Sequence, residues 1–304
     1  MRAILFHNPG SGGKGQDKED LLAALELAGI EAAYVSTKDD DDLKDAFKKS
    51  ADLYIAAGGD GTIRTVVTGA RERDIPIAIL PLGTANNVAR SLGIAGTPQE
   101  LVETWDPEHT VPLDIGHARG AWGTTLFIES FGVGLMPEYL RMAAKGKKPE
   151  GAANLQQGRK LLQKALKHAD PADIEVTLDG KKLKGEFFGV EVLNIPFTGP
   201  GLPLGERADV ADGKLDVVCF EADSRKELSK WLDAPMDAAP PVTCRKAKEV
   251  QLIWRDAPNR LDDKSFDNDE TTQTAELRCE ETPACVVMPR KLPVQKAIEE
   301  KAEA

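Results

Sequence analysis

The fold is decided by the stretch Gly58-Gly59-Asp60-Gly61-Thr62, which separates an apolar run at residues 53–57 from a helix-like segment at residues 63–71. A strand that ends in glycines and leads into a helix directs unblocked backbone N–H groups and the positive end of the helix dipole to one point. A phosphate is stabilised at such a point. Asp60 lies within the turn, and a carboxylate repels phosphates unless a divalent cation or a transferable proton lies between them. The turn therefore predicts a nucleotide site with Mg²⁺; the alternative is a turn in which Asp60 only caps the helix.

Length and charge limit the possible classes of protein. The chain has 304 residues, of which 41% are apolar, and this suits two domains of about 100–200 residues each. It has no run of about 18 apolar residues and no signal-like start, so we expect a cytoplasmic protein. A net charge of −11 argues against nucleic acid as a partner. The four cysteines lack the spacing of a zinc site, and we expect reduced core thiols.

Strand and helix patterns alternate through the N-terminal third, which is typical of a parallel sheet in an α/β domain. Each predicted strand is a short apolar run, and each predicted helix begins near a capping residue or a glycine turn. The predicted strands are residues 2–7, 31–36, 53–57 and 77–80, and the predicted helices are residues 17–28, 41–49 and 63–71. Thr97-Pro98-Gln99-Glu100 opens a further helix with a capping box.

Three of these strands end in polar loops rich in glycine, at residues 8–15, 58–62 and 81–87. The carboxyl ends of parallel strands lie at one edge of a sheet, where open α/β sheets bind their ligands. We therefore expect the three loops to form one nucleotide site. The first loop is not a Walker A loop, because Lys14 is followed by Gly15 and not by Ser or Thr.

The three loops together resemble the catalytic domain of the diacylglycerol kinase family, most closely the soluble bacterial lipid kinases of the YegS/BmrU type. The motifs are Asn8-Pro9-Gly10-Ser11-Gly12, Gly58-Gly59-Asp60-Gly61-Thr62, and Leu82-Gly83-Thr84-Ala85-Asn86-Asn87 followed by Ala89-Arg90. The resemblance implies an α/β nucleotide-binding domain with a parallel sheet, like that of NAD kinases and diacylglycerol kinases, at residues 1–112. From residue 113 the pattern changes to many short strands, with a hairpin signal at Asp179-Gly180, which predicts a mainly β, sandwich-like domain. This lipid-substrate domain is assigned to residues 113–292, with a basic helical insertion at 137–168, and a C-terminal helix is expected at 293–304.

The resemblance implies ATP- and Mg²⁺-dependent phosphorylation of a lipid hydroxyl. It assigns ATP to the three loops and to a Thr after the second strand. The implied nucleotide contacts are Asn8, Thr37, Gly58, Gly59, Asp60, Gly61, Thr62, Thr84 and Asn86. It also implies a structural Mg²⁺ held by Asp212 with the carbonyl groups of Asp209 and Lys214; the alternative is a plain Asp-Gly turn before a strand.

The catalytic base is where the sequence departs from the family. Relatives carry the base on the Glu of a late Asp-Gly-Glu, which is absent here. Counting back from Leu277, which we expect to start the next strand, places the base at Glu270, with Asp267 and Asp269 as alternatives. The region is rich in acids and is also consistent with a solvated loop. Asp60 and Glu270 are thus the candidate catalytic residues.

The segment from residue 141 to residue 168 is basic within an acidic chain. It contains Arg141, Lys145, Lys147, Lys148, Arg159, Lys160, Lys164 and Lys167, with Glu150 as its single acid. Leu155, Leu162, Leu166 and Ala169 recur at helical spacing beside the lysines. Such a helix predicts peripheral contact with anionic lipid at the inner membrane face; the alternative is a helix packed by its leucines with its lysines in water.

Three functions agree with these patterns. The first is a lipid kinase acting on a diacylglycerol-like or sphingoid-like acceptor. The second is a small-molecule kinase related to NAD kinases, which share the Gly-Gly-Asp-Gly-Thr motif. The third is a catalytically degenerate nucleotide or lipid sensor, which the missing Asp-Gly-Glu favours. The sequence indicates neither which lipid is used nor the oligomeric state.

Overall fold

The computed structural model of the chain describes residues 1–11, 16–145, 152–205, 208–266 and 271–290. These residues form two compact units. The first unit comprises Met1–Gly83, Gly93–Leu113 and the described residues from Ala284 onward. The second unit comprises Thr84–Leu92 and Asp114–Pro283.

The first unit is built on a six-stranded sheet and four helices. The strands are β1 (Arg2–His7), β2 (Glu31–Ser36), β3 (Leu53–Gly58), β4 (Ile77–Pro81), β5 (Thr110–Leu113) and β20 (Ala284–Val287). The helices are α1 (Lys18–Leu27), α2 (Asp40–Ala46), α3 (Asp60–Ala70) and α5 (Pro98–Val102). The strand order is β2-β1-β3-β4-β20-β5, and every pairing is parallel except that of β20 with β5.

The central strands of this sheet are apolar over most of their length, as is usual for strands that are covered on both faces. Every residue of β3 is buried, as is every residue of β1 after Arg2. Helix α3 buries Ile63, Val66, Val67 and Ala70, which recur every three or four residues. The predicted alternation of strands and helices, and the predicted parallel sheet, are confirmed. The capping box predicted at Thr97 is present, with Pro98 as the first helical residue.

The second unit contains two further six-stranded sheets. The outer sheet has the order β10-β9-β16-β19-β6-β7 and the inner sheet the order β15-β14-β11-β8-β17-β18. The strands of the outer sheet are β6 (Gly116–Gly120), β7 (Gly123–Phe127), β9 (Asp173–Leu178), β10 (Lys181–Lys182), β16 (Val250–Arg255) and β19 (Gln273–Cys279). Those of the inner sheet are β8 (Ser130–Gly134), β11 (Phe187–Leu193), β14 (Leu215–Glu221), β15 (Thr243–Ala247), β17 (Asn259–Leu261) and β18 (Lys264–Phe266). The remaining elements are the strand pair β12 (Phe197–Thr198) and β13 (Leu202–Pro203), and helices α4 (Asn87–Ser91), α6 (Leu135–Ala144), α7 (Ala152–His168) and α8 (Arg225–Trp231).

Burial patterns explain why these sheets form two layers. In β19 buried and exposed residues alternate, so one face of the outer sheet contacts solvent. In β11 all residues are buried, since one face of the inner sheet packs on the outer sheet and the other packs on helices. Residues such as Phe131, Val190 and Trp254 fill the space between the sheets. The predicted sandwich-like domain is confirmed.

Several boundaries differ from the sequence-based prediction. The sequence predicts residues 284–287 in the second domain, whereas they form β20 of the first sheet. Their partners β4 and β5 are distant in sequence, so no local pattern indicates this pairing. The strand expected to start at Leu277 starts at Gln273. The basic insertion forms α6 and α7, and the helix predicted at 293–304 lies outside the described residues. Within the described part of the chain, no helix is both long and apolar enough to span a membrane.

Candidate active site

Three strands of the first unit end side by side at one edge of the sheet. Strands β1, β3 and β4 are adjacent and parallel, with His7 opposite Ala57 and Gly58 opposite Pro81. The N–H of Asn8 donates to the carbonyl of Ala57 at 3.1 Å, and the N–H of Leu82 donates to the carbonyl of Gly58 at 2.9 Å. The beginnings of the three glycine-rich loops are therefore joined by backbone hydrogen bonds, as expected from their positions in a parallel sheet.

Glycines at positions 58 and 59 allow the second loop to lie close to its neighbours. A Cβ atom at Gly58 would lie 2.3 Å from Oγ1 of Thr62, and one at Gly59 would lie 3.3 Å from Cα of Gly83. Gly59 is also the N-cap residue of α3 and makes no side-chain cap, so the dipole and the N–H groups of the first turn act at the loop itself. This arrangement fits a phosphate group, and a side chain at residue 59 would press the second loop away from the third by a few tenths of an ångström or more.

The first loop is shaped by Asn8. Its Oδ1 accepts the N–H of Gly10 at 3.0 Å, and its carbonyl accepts the N–H of Ser11 at 2.9 Å. Thr37 lies at the same edge of the sheet, since its N–H donates to the carbonyl of His7 at 2.9 Å. Asn8 directly follows β1 and Thr37 directly follows the neighbouring strand β2, so both residues lie at this edge of the sheet.

Lys38 is a residue at this edge that sequence reasoning missed. A Cβ atom at Gly10 would meet Nζ of Lys38 at 3.3 Å, so the ammonium lies over the first loop. A lysine in this position can neutralise phosphate charge. Its place directly after Thr37, at the end of a predicted strand, was the signal that could have identified it.

His7 is the last residue of β1 and directly precedes the first loop. It is buried, its Nδ1 lies 3.3 Å from the hydroxyl of Tyr34, and its Nε2 has no hydrogen-bond partner among the described residues. Burial lowers the pKa of His7, an effect that the carboxylate of Asp17 partly offsets. His7 is therefore a neutral side chain at pH 7.

Asp60 is the first residue of α3 and is half-buried at the edge where the loops meet. Within the described part of the chain, no group of three or more His, Cys, Asp or Glu side chains is arranged to hold a metal ion. A Mg²⁺ ion at Asp60 would thus take most of its ligands from phosphate oxygens and water, which is the usual arrangement in nucleotide sites. Asp60 fits a nucleotide-bound Mg²⁺ and does not form a metal site by itself.

Thr84 and Asn86 belong to the second unit. Thr84 lines a cavity of about 270 Å³ with residues of α6 and α7. Asn86 has a left-handed backbone (φ 49°) and is the N-cap residue of α4. The next residue, Asn87, is buried, and its Nδ2 donates to Oε2 of Glu129 at 2.8 Å and to the carbonyl of Gly199 at 3.0 Å. The third motif is thus anchored in the second unit through Asn87.

The buried ion cluster that holds Asn87 was not predicted from the sequence. Arg260 is 1% exposed; its Nε lies 3.2 Å from both carboxylate oxygens of Glu191, and its Nη2 lies 3.4 Å from Oε1 of Glu129. The guanidinium also contacts the hydroxyl groups of Ser130 and Thr198. The cluster joins one arginine to two buried carboxylates, so the charges compensate each other only in part.

Gly132 makes this cluster possible. It lies in β8, between β11 and β17, and is directly opposite both Glu191 and Arg260. A Cβ atom at Gly132 would lie 1.9 Å from Oε1 of Glu191. The ion pair therefore crosses the middle strand over a residue without a side chain.

The candidate bases Glu270, Asp267 and Asp269 lie outside the described residues. Glu270 is placed by counting back from Leu277 as the first residue of the next strand. That strand, β19, begins four residues earlier, at Gln273, so the count does not favour Glu270 over Asp267 or Asp269. Asp262 is not a substitute for them. It is buried, and its carboxylate accepts the N–H groups of Ile128, Glu129 and Ser130 at 3.3, 2.8 and 3.1 Å.

The segment predicted to hold a structural Mg²⁺ is already paired with a cation of the protein. Oδ2 of Asp212 lies 2.5 Å from Nζ of Lys246, and its Oδ1 accepts the N–H of Lys214 at 3.0 Å. Asp209 accepts the N–H of Ala211 at 3.0 Å. This donor set does not fit Mg²⁺, because an ammonium group occupies the position beside the one carboxylate that was expected to bind the metal.

The basic helix α7 packs into the second unit by its apolar face. Leu162, Ala165 and Leu166 are buried against residues of α6 and α8, whereas Lys160, Lys164 and Lys167 are exposed. Leu162 and Leu166 are therefore not available to enter a lipid bilayer, whereas Leu155 and Leu161 are half-buried.

Two arginines lie close together near the cavity that Thr84 lines. A Cβ atom at Gly201 would meet both Arg90, at 3.5 Å, and Leu155 of the cavity wall, at 3.7 Å. Burial and the nearby charge of Arg90 lower the pKa of Arg159. Two guanidinium groups in such proximity favour an anion between or beside them.

An α/β unit with glycine-rich loops at one edge of a parallel sheet, followed by a β-sandwich unit, is an NAD kinase-like fold. Residues 2–118 match the diacylglycerol kinase catalytic domain, and residues 149–279 match the YegS C-terminal NAD kinase beta sandwich-like domain. A diacylglycerol kinase of Bacillus subtilis (strain 168) is 31% identical over 232 residues, which is 72% of this chain and 74% of that protein. The chain therefore belongs to the diacylglycerol kinase family.

Other relatives match over different lengths. A diacylglycerol kinase of Staphylococcus haemolyticus is 35% identical over 122 residues, 38% of this chain and 37% of the relative. The structure of a diacylglycerol kinase from Bacillus anthracis str. Sterne has a TM-score of 0.66 at 20% identity and covers 96% of this chain and 97% of its own. An NAD kinase from Archaeoglobus fulgidus, solved in complex with ATP, has a TM-score of 0.53 at 15% identity and covers 100% of this chain and 99% of its own. At these identities the two structures establish the fold alone.

Proposed function

We propose that this kinase transfers the terminal phosphoryl group of ATP to the hydroxyl of a lipid, in a reaction that requires Mg²⁺. The observation that carries the proposal is the hydrogen-bonded edge formed by Asn8, Gly58 and Leu82, where three glycine-rich loops begin. The name of the Bacillus subtilis relative, diacylglycerol kinase, supports a lipid acceptor.

In this proposal the first unit binds the triphosphate mainly through its backbone. The N-terminus of α3 and the loop held by Asn8 offer N–H groups, and Lys38 offers one positive charge. Asp60 would hold Mg²⁺, which when bound would neutralise charge that develops on the transferred group. Because residue 59 is a glycine, the second and third loops lie in contact, and their backbone N–H groups are oriented before the nucleotide binds.

The acceptor site is assigned to the cavity of about 270 Å³ in the second unit. Tyr139, Leu140, Leu155 and Leu161 give it an apolar wall, and Thr84 gives it a hydroxyl group. An apolar cavity with few polar groups suits one end of an acyl or sphingoid chain. Arg90 and Arg159, near its wall, would stabilise a phosphate group on the acceptor or on the product.

We also propose that the protein contacts the membrane by charge and not by insertion. Lys164 and Lys167 of α7 and Lys226 and Lys230 of α8 surround one groove of the second unit, in which Asp233 is the only acid of the lining described. Near an anionic membrane each such side chain contributes about 1 kcal/mol. Because Leu162 and Leu166 of α7 are buried, this binding should disappear at high salt.

A transfer assay tests the proposed reaction. The protein is incubated with labelled ATP, MgCl₂ and either a total lipid extract or NAD, and the labelled product is identified. We expect label in a lipid, and we expect Asp60→Asn to lower the rate about 100-fold or more because the metal loses its protein ligand. Asp74→Asn, an exposed acid of the same unit, is the matched control and should keep full activity.

The other outcomes separate the alternatives. Label in NAD and in no lipid would favour the NAD kinase-like function. Binding of ATP, measured by calorimetry, without transfer to either acceptor would favour the sensor.

Membrane contact has its own assay. Sedimentation with vesicles of phosphatidylglycerol and phosphatidylcholine should show binding that falls steeply between 50 and about 300 mM salt. Lys164→Glu/Lys167→Glu should abolish it, whereas Lys181→Glu/Lys184→Glu, on an exposed turn of the outer sheet, should not. Binding that is absent, or that is insensitive to salt, would refute the docking proposal.

A further inference from the structure

The loop at residues 209–216 of the second unit is fixed by hydrogen bonds to one buried acid. The N–H of Asp114 donates to the carbonyl of Val210 at 2.7 Å, and Oδ2 of Asp114 accepts the N–H of Gly213 at 2.7 Å. Asp114 is 5% exposed, and burial raises its pKa, against the effect of the Gly213 N–H. Asp212 of this loop and the buried Asp216 lie close enough to share one cation, and the charge of Asp212 also acts on Asp114, so these acids require a counter-charge.

That counter-charge comes from the neighbouring strand. Lys246 of β15 lies directly opposite Asp216 of β14 in the antiparallel register. Its Nζ lies 2.5 Å from Oδ2 of Asp212 and 3.8 Å from Oδ2 of Asp216. Asp216 is almost fully buried at 3% side-chain exposure, whereas the side chain of Lys246 is 31% exposed. The side chain of Lys246 thus extends across the strand pair, and its ammonium lies between the carboxylates of Asp212 in the loop and Asp216 in β14.

A divalent ion and this ammonium exclude each other. Mg²⁺ needs oxygen ligands at about 2.0–2.1 Å in octahedral geometry. A metal at that distance from Oδ2 of Asp212 would lie less than about 5 Å from Nζ, and the two cations would repel each other while sharing one carboxylate oxygen. In addition, Oδ1 of Asp212 accepts the N–H of Lys214, so the carboxylate that was expected to bind the metal already has a second hydrogen-bond donor.

We propose that Lys246 is a built-in cation that takes the place of a structural divalent metal in this chain. The loop is held by one ammonium, with the backbone hydrogen bonds of Asp114 and Asp212, and folds without Mg²⁺. Removal of the ammonium leaves the carboxylates of Asp212 and Asp216 without their shared counter-charge, and we expect a divalent cation from solution to take its place. The inference is independent of the proposed reaction, because it concerns stability and not phosphoryl transfer.

Thermal unfolding of the full chain without nucleotide tests this inference. For the wild type we expect the same Tm in EDTA and in 10 mM MgCl₂ or MnCl₂. For Lys246→Gln we expect a lower Tm in EDTA and a rise of about 3 °C or more when either metal is added. The double variant Lys246→Gln/Asp212→Asn should lose that rise.

A matched control separates this effect from the loss of any ion pair. Lys182 forms an exposed cross-strand pair with Glu175 at 2.6 Å, so Lys182→Gln removes a similar contact in solvent and should not acquire a response to metal. Two results would overturn the inference. One is a rise of the wild-type Tm with MgCl₂ that Asp212→Asn abolishes, which decides the matter even if Lys246→Gln does not fold. The other is a folded Lys246→Gln protein whose Tm does not respond to either metal.

Discussion

Substitution of Arg260 by methionine should strongly destabilise the second unit. Arg260 is the one cation within hydrogen-bond distance of Glu129 and Glu191 in the described cluster, at 3.4 and 3.0 Å from its Nη2. Methionine fills most of the volume but removes the charge and the N–H donors. Two carboxylates with side-chain exposures of 8% and 0% then lose their counter-charge.

The expected magnitude follows from this burial. Breaking a buried ion pair by removing one partner costs about 3–5 kcal/mol, and for a unit of this size that corresponds to a fall in Tm of roughly 6–20 °C. Lys182→Met is the matched control, because its pair with Glu175 has side-chain exposures of 60% and 47%. An exposed pair contributes about 0–1 kcal/mol, so the control should remain close to the wild type.

Urea unfolding followed by tryptophan fluorescence measures both effects, and pH distinguishes their cause. Burial raises the pKa of Glu191, and Arg260 counteracts that rise. Without Arg260 the folded-state pKa rises further above the unfolded value, so protonation stabilises the folded variant at low pH and this stabilisation is lost as the pH rises. The difference between Arg260→Met and the wild type should thus be smaller at pH 5 than at pH 8. A difference below about 1 kcal/mol at pH 8, or one that grows toward pH 5, would refute the reasoning.

Three further predictions concern other parts of the chain. Gly132→Ala should destabilise the protein by about 1–3 kcal/mol in urea unfolding, because its methyl group would collide with the fixed carboxylate of Glu191; an unchanged midpoint would show that the cluster can move. Since burial lowers the pKa of His7, the unfolded state binds more protons at this site, and the wild type should lose stability as the pH falls below about 6.5, whereas His7→Gln should lose less. Burial raises the pKa of both Cys219 and Cys244 to about 12, so native protein should react with Ellman's reagent rapidly at the exposed Cys285, slowly at the exposed Cys244 and not at the buried Cys219; Cys285→Ser should remove the fast phase.

Local patterns explain what the sequence could predict. The apolar runs of β1 and β3, the N-cap at Asp17 and the capping box at Thr97 act over a few residues, and the structure places them close to the predicted positions. The hairpin signal at Asp179-Gly180 is also confirmed, since both residues have positive φ between β9 and β10. From such elements the parallel sheet and the meeting of its loops follow by geometry.

Contacts between distant residues explain what the sequence could not predict. From its neighbours in the sequence, Arg260 would be predicted as a surface cation in an acid-rich segment. Its partners Glu129 and Glu191 lie 131 and 69 residues away, so no local pattern indicates the buried ion cluster. The role of Lys246 depends in the same way on the pairing of β14 with β15, which nothing near Asp212 indicates. The position of β20 between β4 and β5 is a third example, since the sequence of a short apolar strand does not indicate which strands it pairs with.

Backbone NMR of the intact protein, titrated with ATP and MgCl₂, tests most directly whether the three loops bind one triphosphate. The amides of Gly10, Gly61 and Leu82 report on the three loops separately, and all three loops begin at the same edge of the first sheet. We predict that all three amides shift together along one binding curve, and that Gly59→Val abolishes the response by separating the second loop from Gly83. Shifts confined to a single loop, or three curves with different midpoints, would contradict a common nucleotide site.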